Sequence, residues 1–327
     1  MTSRTLRAAC AALTLFACLA ALAAQPVYRI EPLKNQDGMR PRYPAAINNR
    51  GVVMGSAQDL SNRYLHQVFL HDHGQLAFVA GSDGALAKDL NDAGDVLVGV
   101  PLTPAIFWHD GRYQEAPEMS LVYRFNNRGV MAGNADFGPE THAALWDNGT
   151  LTDLGTLGGQ YASATDVSDN GFVVGESTLN PNNWTKHHAF LWANGQMKDL
   201  GTFGGDTSYA HVVNNLGHVL GIAEDEANVY VPFFYDGTKK RHVPAIGSAT
   251  LSPRDMNNLD EIAGASSVGA FISTQGKSHL LMNLLDGSRE GWDRLDDIVR
   301  INDAGDVTGT GYFHGNRKAF VARRVAP

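Results

Sequence analysis

The stretch Asn-Asn-Arg-Gly-Val-Val-Met-Gly at residues 48–55 decides the fold, because six variants of it follow along the chain. Each variant has an Asn or Ser, a turn, a short strand-like run and a closing glycine. The spacings between successive closing glycines are 44, 34, 42, 46, 43 and 45 residues. A repeat near this length with strand-like content is typical of β-propeller blades. The closing glycines are Gly55, Gly99, Gly133, Gly175, Gly221, Gly264 and Gly309.

The fourth repeat shows the expected blade, whose four strands we name A to D. Residues 162–168 and 172–177 are predicted as strands A and B, joined by a turn at Gly171. A polar loop is predicted over 178–187, and strand C runs from 188 into the Asn194-Gly195 hairpin turn. Residues 196–205 form strand D and the crossing to the next blade. The closing glycine inside strand B implies that backbones crowd together there.

The two ends of the chain predict how the ring of blades closes. The seventh repeat contains strands A, B and C but no strand D. Residues 27–33, Val-Tyr-Arg-Ile-Glu-Pro-Leu, form one strand without a hairpin partner. We therefore predict an all-β, seven-bladed β-propeller with four antiparallel strands per blade, in which the N-terminal strand completes the last blade. Residues 25–327 form this single domain.

The N-terminus predicts export from the cytoplasm. Arg4 and Arg7 precede an apolar run from Ala8 to Ala24 that ends in a small-x-small site, which is the pattern of a secretory signal peptide over residues 1–24. Both cysteines, Cys10 and Cys18, lie in this run, so the mature chain has no disulfide. Residues 15–18 weakly resemble a lipobox, and lipid anchoring at Cys18 is the less favoured alternative to cleavage near Ala24.

The charge of the mature chain excludes some partners. Without Arg4 and Arg7 it has 24 basic and 34 acidic residues, a net charge of −10, and no basic cluster. Such a chain is a poor ligand for nucleic acids and anionic membranes. No later segment is apolar and long enough to span a membrane. We expect a monomer that is secreted or periplasmic.

Two pairs of phrases carry a family resemblance. His-Ala-Ala-Leu-Trp (142–146) and His-Ala-Phe-Leu-Trp (188–192) are followed by Asp-Leu-Gly-Thr-Leu-Gly-Gly (153–159) and Asp-Leu-Gly-Thr-Phe-Gly-Gly (199–205). The chain thereby resembles the extracellular HAF-repeat family. The resemblance implies an exported, propeller-like protein and no established activity.

Candidate binding residues follow from the order of strands. In a propeller the B-to-C loops and D-to-A crossings share one face, here called the loop face, and the A-to-B hairpins lie on the opposite turn face. Three residues before the repeated Asn, strand A carries Lys88, Tyr123, His211 and Arg254, which we expect near the mouth of the loop face. Further binding candidates are Tyr161, Tyr209, Asp206 and Trp184. Solvated or hydrogen-bonded strand ends are the alternative interpretation.

One position further along strand A, charged residues predict a channel ring. The residues are Asp89, Arg124, Asp166, Asp255 and Arg300. Arg124 is expected between Asp89 and Asp166, and Arg300 next to Asp255, in ion pairs that join neighbouring blades. Ligand binding is the less favoured alternative. The strand C histidines His66, His142 and His188 should lie far apart, so packing or hydrogen bonding is favoured over metal binding, and no cofactor is expected.

Two functions remain open at this stage. The first is a secreted, non-catalytic binding or scaffold propeller whose ligand is a glycan or another envelope protein. The second is a polysaccharide lyase for uronate-containing chains. In the lyase, Tyr123 and His211 would exchange protons with the sugar, and Lys88 or Arg254 would stabilise the developing charge.

Overall fold

The computed structural model describes residues 25–62, 64–99, 106–109, 112–116 and 118–325 as seven four-stranded antiparallel sheets. The all-β prediction is confirmed. The predicted signal peptide lies outside the described residues. Within the described part of the chain, no helix is long and apolar enough to cross a membrane.

The sheets, numbered by repeat, contain consecutive strands A to D except in the last. Sheet 1 has β2 (Met39–Ile47), β3 (Val53–Asp59), β4 (His66–Asp72) and β5 (Gln75–Phe78). Sheet 2 has β6 (Leu86–Leu90), β7 (Val96–Gly99), β8 (Ile106–His109) and β9 (Arg112–Glu115). Sheet 3 has β10 (Leu121–Phe125), β11 (Met131–Phe137), β12 (Glu140–Asp147) and β13 (Thr150–Gly155). Sheet 4 has β14 (Ala162–Val167), β15 (Val173–Asn180), β16 (Asn183–Ala193) and β17 (Gln196–Asp199).

The remaining sheets follow the same order. Sheet 5 has β18 (Gly204–Val213), β19 (Val219–Asp225), β20 (Tyr230–Tyr235) and β21 (Lys240–His242). Sheet 6 has β22 (Leu251–Met256), β23 (Ile262–Ser266), β24 (Gly269–Thr274) and β25 (Lys277–Leu280). Sheet 7 has β26 (Trp292–Ile301), β27 (Val307–Phe313), β28 (Asn316–Val325) and β1 (Val27–Pro32). Two single-turn 3-10 helices, Leu281–Leu284 and Gly287–Arg289, precede β26.

The N-terminal strand pairs with the last strand of the chain, as predicted. β1 is antiparallel to β28, with Val27 opposite Val325 and Pro32 opposite Phe320. Tyr28, Ile30 and Leu33 of this segment are almost completely buried. The first and last parts of the sequence therefore share one sheet, and their buried side chains contribute together to two apolar clusters.

The predicted polar loop over residues 178–187 is wrong. β15 and β16 continue their ladder through Thr178 opposite His187 to Asn180 opposite Asn183, which leaves only a two-residue turn. Trp184 and Thr185 favour extended structure, and the ladder satisfies backbone groups that a loop would leave to water. This hairpin places His187 on a strand beside Glu176.

The crowding expected at the closing glycines is present. A Cβ added to Gly175 would overlap the carbonyl oxygen of Ser163 and lie 2.9 Å from the ring of Phe190. The equivalent phenylalanines of strand C, Phe69, Phe233, Phe271 and Phe320, are also fully buried. The glycine therefore makes room for an aromatic side chain in the core between sheets.

The first residue of the repeated turn holds the turn, and in five of the seven repeats it also bonds to the next sheet. Asn48 Oδ1 accepts the N–H groups of Arg50 and Val52, and Asn48 Nδ2 donates to the carbonyl of Asn91 at 2.9 Å. Equivalent amide-to-carbonyl bonds join Asn126 to Ser168, Asn214 to Asn257, Asn257 to Asn302, and Asn302 to Asn48. The repeated Asn thus contributes to contacts between sheets as well as to its own hairpin.

Candidate functional site

The strand A residues three positions before the repeated Asn, which include Lys88, Tyr123, His211 and Arg254, are β-bulge residues. In all seven sheets the register between strands A and B shifts at this position, which leaves one extra residue in strand A. A bulge redirects the side chain of the extra residue and is frequent beside functional sites. The seven residues are Ala45, Lys88, Tyr123, Thr165, His211, Arg254 and Val299.

Three of these bulge residues bond to the next sheet. Lys88 Nζ donates to the carbonyl of Val122 at 2.9 Å, and Thr165 Oγ1 donates to the carbonyl of Ala210 at 2.8 Å. Arg254 Nε lies 3.3 Å from a carboxylate oxygen of Asp297. Burial lowers the pKa of Lys88. These three bulge residues therefore have a structural role, because each contacts the neighbouring sheet.

The structure brings Tyr161 and Tyr209 together through a residue that the sequence analysis did not select. The ring of His187 lies 6.2 Å from the rings of Tyr161 and Tyr209, edge-on to the first and stacked on the second. Tyr209 in turn lies 6.0 Å from Tyr230, whose hydroxyl is 2.6 Å from Thr207 Oγ1. We call Tyr161, His187, Tyr209 and Tyr230 the tyrosine cluster.

The carboxylate of Glu176 lies beside the cluster but forms no hydrogen bond with it. Glu176 Oε2 lies 3.9 Å from His187 Nδ1, and both atoms are buried without a hydrogen-bond partner. His187 Nε2 lies 2.6 Å from the carbonyl oxygen of Trp184, which can only accept, so Nε2 carries a proton. Burial raises the pKa of Glu176, and His187 opposes that shift. The two atoms therefore lie close together in the cluster without a hydrogen bond between them.

The other binding candidates lie around this cluster. Trp184 is 56% exposed, and Asp206 accepts a 2.6 Å bond from Lys186 Nζ. Burial raises the pKa of Tyr209 to about 12, with its hydrogen bond to Tyr230 as a further cause. The Tyr209 hydroxyl is therefore a neutral hydrogen-bonding group at ordinary pH.

Tyr123 and His211 are not brought into contact with each other. Tyr123 is 41% exposed and lies close enough to Tyr161 to affect its pKa. His211 lies near Arg254 and Arg124, and its pKa is lowered by burial and by these two cations. In the described residues no hydrogen bond or ring contact joins the two side chains.

The predicted channel ring lines a central cavity. Arg124 lies 3.9 Å from Asp89, as expected, but its second carboxylate is Asp255 at 3.7 Å. The expected pair with Asp166 is not formed among the described residues, and Asp166 Oδ2 instead accepts the backbone N–H of Val213. Burial lowers the pKa of Arg124, and Asp166, Asp89 and Asp255 outweigh that effect and raise it. The expected ion pair of Arg300 with Asp255 is not formed, because Asp255 Oδ2 accepts the backbone N–H of Ile301 at 2.9 Å. We call Asp89, Arg124, Asp166, Asp255 and Arg300 the inner ring.

A second ring, not selected from the sequence, closes the turn side of this cavity. The second residue of each repeated turn accepts, through Oδ1, the backbone N–H of its counterpart in a neighbouring sheet. These seven bonds measure 2.7–2.9 Å. We call this set the turn ring: Asn49, Asp92, Asn127, Asp169, Asn215, Asn258 and Asp303. The invariant Asn or Asp at this position is the sequence signal that could have revealed it.

The cavity has a volume of about 170 Å³ and is lined by both rings. It therefore lies towards the turn face, whereas the tyrosine cluster is associated with strand ends on the loop face. The cavity and the tyrosine cluster are therefore separate features of the fold.

The repeated histidines have a local role. His142 Nδ1 lies 2.8 Å from Asp153, and His188 Nδ1 lies 2.8 Å from Asp199. The same carboxylates accept the N–H groups of Gly155 and Gly201, so each histidine anchors the start of the following Asp-Leu-Gly-Thr segment. Within the described ranges, no group of three or more His, Cys, Asp or Glu side chains is arranged to hold a metal ion.

Comparison with solved structures shows the class of fold. The chain is similar to the β-propeller domain of the Trilobed protease from Pyrococcus furiosus, with TM-score 0.60, 10% identity, and coverage of 90% of this chain and 97% of that one. It is also similar to a puromycin-hydrolyzing peptidase from Mycobacterium tuberculosis, with TM-score 0.54 and 10% identity. That match covers 84% of this chain and 49% of the peptidase, so the chain spans about half of its length.

These similarities establish a β-propeller fold and nothing about activity. The Pyrococcus domain is described as having an open velcro topology, whereas β1 of this chain is hydrogen-bonded to β28. No protein-family model matches the sequence. No curated protein matches it either.

Proposed function

We propose that the protein is a secreted, non-catalytic binding or scaffold propeller that binds its ligand, a glycan or another envelope protein, on the loop face. The observation that carries this proposal is the position of the exposed apolar side chains. Of the fourteen large hydrophobic residues that are exposed in the described chain, eleven lie in strand A no later than its bulge residue, in B-to-C connections, or in the first two residues of strand C. Exposed apolar surface gathered on one face marks a binding site. The eleven are Tyr43, Leu60, Tyr64, Leu65, Leu86, Leu121, Tyr123, Trp184, Val229, Tyr230 and Val268.

A rigid seven-bladed ring is part of this proposal. The turn ring joins each sheet to the next, and the bond from Asp303 N to Asn49 Oδ1 returns the series to sheet 1. The pairing of β1 with β28 supports the same closure. We infer one propeller domain over residues 25–327, exported by a signal peptide at residues 1–24.

Membership of the HAF-repeat family is a further part of the proposal. The two sequence phrases that carry the resemblance are joined by a hydrogen bond in each repeat. His142 bonds to Asp153, and His188 bonds to Asp199 in the same way. A secreted or periplasmic location fits this resemblance and the acidic, cysteine-free mature sequence.

The tyrosine cluster favours a glycan over a protein as the ligand. Trp184 and Tyr230 are 56% and 44% exposed, and aromatic side chains of this kind combine apolar contact area with polar groups that fix orientation. Neutral hydroxyls at Tyr161 and Tyr209 are suitable hydrogen-bonding partners for sugar hydroxyls. A protein partner remains the other outcome of the test.

The experiment is a glycan array with the mature protein, together with a pull-down from culture supernatant. We expect a glycan signal that falls at least tenfold in Trp184→Ala and Tyr230→Ala. Leu216→Ala, which removes an equally exposed apolar side chain on the turn face, is the matched control. Retained binding in both Trp184→Ala and Tyr230→Ala, or turnover of a polysaccharide by the wild-type protein, would refute the proposal.

A lyase for uronate-containing polysaccharides is the second candidate. It is favoured by the lowered pKa of His211, which keeps the imidazole neutral and able to accept a proton. It requires Tyr123 and His211 to contact one sugar, with Lys88 or Arg254 beside the carboxylate. Ultraviolet absorbance of unsaturated uronate products from pectin, alginate, ulvan and hyaluronan tests it, and the absence of a signal on all four would exclude it.

A further inference from the structure

Two arginines near the start of strand A in sheet 1 share one acceptor. Arg40 Nη2 donates to Gln58 Oε1 at 3.3 Å, and Arg42 Nη1 donates to the same oxygen atom. A neutral amide therefore holds two positive charges side by side. Charges of the same sign repel each other at such short range, and an anion beside them relieves the repulsion.

Neither guanidinium group has a counter-charge in the described part of the chain. No carboxylate of the described residues forms an ion pair with Arg40 or Arg42. Arg40 Nη1, Arg42 Nε and Arg42 Nη2 also lack a hydrogen-bond partner there, and these three nitrogens are accessible to solvent, unlike the buried Arg40 Nε. Arginine stays charged in proteins, so the pair presents several unused donors to solvent.

Two acidic side chains in the adjoining segments are directed to other partners. Asp59 follows Gln58 in β3, so its side chain lies on the opposite face of the sheet, where Oδ1 accepts the N–H of Ser61 at 2.6 Å. Asp83, in the crossing from sheet 1 to sheet 2, accepts Gln67 Nε2 at 3.1 Å. The local charge of the arginine pair is therefore positive, although the mature chain is acidic overall.

Strand A places the pair on the loop face. Arg40 lies directly opposite Gln58 in the ladder of β2 and β3, close to the first residue of the strand. The register shifts between Pro41 and Tyr43, which makes Arg42 the extra residue of a second bulge in β2. A bulge redirects the side chain of the extra residue, and here the Arg42 guanidinium reaches the amide that Arg40 also contacts.

Exposed aromatic and apolar side chains lie beside the pair. The Tyr43 ring, which is 41% exposed, has its centroid 5.3 Å from Arg42 Cζ. The B-to-C connection of sheet 1 begins next to β2, because the N–H of Leu60 donates to the carbonyl of Gly38 at 2.9 Å. Leu60 and Tyr64 of this connection are 57% and 75% exposed. The arginines therefore belong to a part of the loop face that also offers apolar contact area.

We propose that Arg40 and Arg42 bind the oxyanion of an acidic sugar, which is a carboxylate or a sulfate ester. This inference rests on the glycan-binding function proposed above and specifies the class of glycan. The accessible N–H groups of a guanidinium can donate in parallel to two oxygens of one anion. Tyr43 supplies apolar contact area for the sugar ring. This contact lies in sheet 1 and is separate from the tyrosine cluster, whose His187 and Tyr209 lie in sheets 4 and 5.

Calorimetric titration of the full mature protein tests the inference with two matched pairs of oligosaccharides. One pair is an oligogalacturonate and its methyl ester, and the other is a sulfated galactan oligosaccharide and its desulfated form. We expect at least one acidic member to bind about tenfold or more tightly than its neutral counterpart, with a preference that shrinks as sodium chloride is raised. The pair that shows the preference identifies the oxyanion.

The outcomes separate this inference from the proposed function. Equal affinities within both pairs, or no binding of all four oligosaccharides, would overturn the acidic-sugar assignment, whereas the glycan array decides independently whether the protein binds glycans. An oligoglutamate peptide of the same charge presents the same carboxylates without a sugar ring. Binding of this peptide as tight as that of the oligogalacturonate would also overturn the assignment to a sugar.

Variants locate the contact. Arg42→Gln should weaken binding of the acidic oligosaccharide by about tenfold or more and leave that of its neutral counterpart unchanged. Arg50→Gln, which removes the same charge from an exposed arginine in the A-to-B turn of sheet 1, should leave both unchanged. Gln58→Glu supplies the missing counter-charge between the two arginines and should also reduce the acidic preference by about tenfold, which keeps the test decisive if Arg42→Gln does not fold. Wild-type affinity of Gln58→Glu for the acidic oligosaccharide would overturn the assignment.

Discussion

Removal of the N-terminal strand should destabilise the whole protein and not merely shorten it. In β1 and the residue that follows it, Tyr28, Ile30 and Leu33 are 0%, 4% and 1% exposed. Burying one such side chain contributes about 1.5–3 kcal/mol, so the three together contribute about 5–9 kcal/mol. This sum is an upper estimate, and it is comparable to the complete net stability of a domain, about 5–15 kcal/mol.

Polar contacts made by the same strand increase the expected loss. The Tyr28 hydroxyl accepts a 2.9 Å bond from Arg324 Nη2, and the N–H of Ile30 donates to Ser288 Oγ at 2.8 Å. Without β1, the edge of β28 would also be exposed to pairing with other chains. A chain beginning at Arg40 should therefore aggregate or fail to fold.

The assay is thermal unfolding followed by circular dichroism, with size-exclusion chromatography of the same samples. A chain beginning at Gln25 should be a soluble monomer with one cooperative transition. Tyr28→Ala should lower the free energy of unfolding by about 3–5 kcal/mol. Arg29→Ala, whose side chain is 71% exposed in an ion pair with Asp286, should change it by less than about 1 kcal/mol. If the chain from Arg40 melted at the same temperature as the chain from Gln25, the closure would be wrong and the blade count would need revision.

Three further predictions concern stability. In a urea titration, Gly175→Ala should lower the free energy of unfolding by several kcal/mol, because the new Cβ would overlap a strand A carbonyl. The control is Gly287→Ala, whose Cβ would enter open space and should leave the free energy of unfolding nearly unchanged. Asn127→Ala removes two 2.9 Å bonds to turn-ring carboxylates and should lower the free energy of unfolding by about 1–3 kcal/mol. Asn182→Ala, in an exposed hairpin, is the control. Equal melting temperatures of the two variants would contradict the structural role of the ring. Burial raises the pKa of Asp166 to about 6, which stabilises the fold below about pH 4, and this contribution is lost as the pH rises through about 6. At pH 7.5 the Asp166→Asn variant should therefore be more stable than the wild type by up to about 3 kcal/mol. The difference between the two free energies of unfolding should vanish near pH 4.

The sequence predicted the features that recur in every repeat. Closing glycines such as Gly175 mark the strands because any side chain there would collide with the neighbouring strand. The unpaired segment at 27–33 identified its partner because only the last repeat lacked a strand D. Both inferences depend on local chemistry repeated at a fixed spacing, which one sequence displays directly.

The candidate site was less predictable because its contacts depend on register. The bulges at Lys88, Tyr123 and His211 add one residue to strand A without a characteristic residue type. His187 lies beside Glu176 because the strands of the sheet 4 hairpin extend to Asn180 and Asn183. The proline and asparagines of this segment had suggested a loop there. A change of one residue in register moves a side chain to the opposite face, which composition alone does not reveal.

The repeated turn and the bulge give the two ends of strand A different roles. The first Asn of the turn satisfies its own hairpin, and the second residue bonds to a neighbouring sheet, so the turn face is occupied by structural bonds. The bulge in strand A then leaves the opposite end of the same strand free to vary, as Lys88, Tyr123 and His211 do. Stability is thereby concentrated at one end of each innermost strand and sequence variation at the other. A protein built in this way can vary the residues of its loop face without changing the bonds that join its sheets.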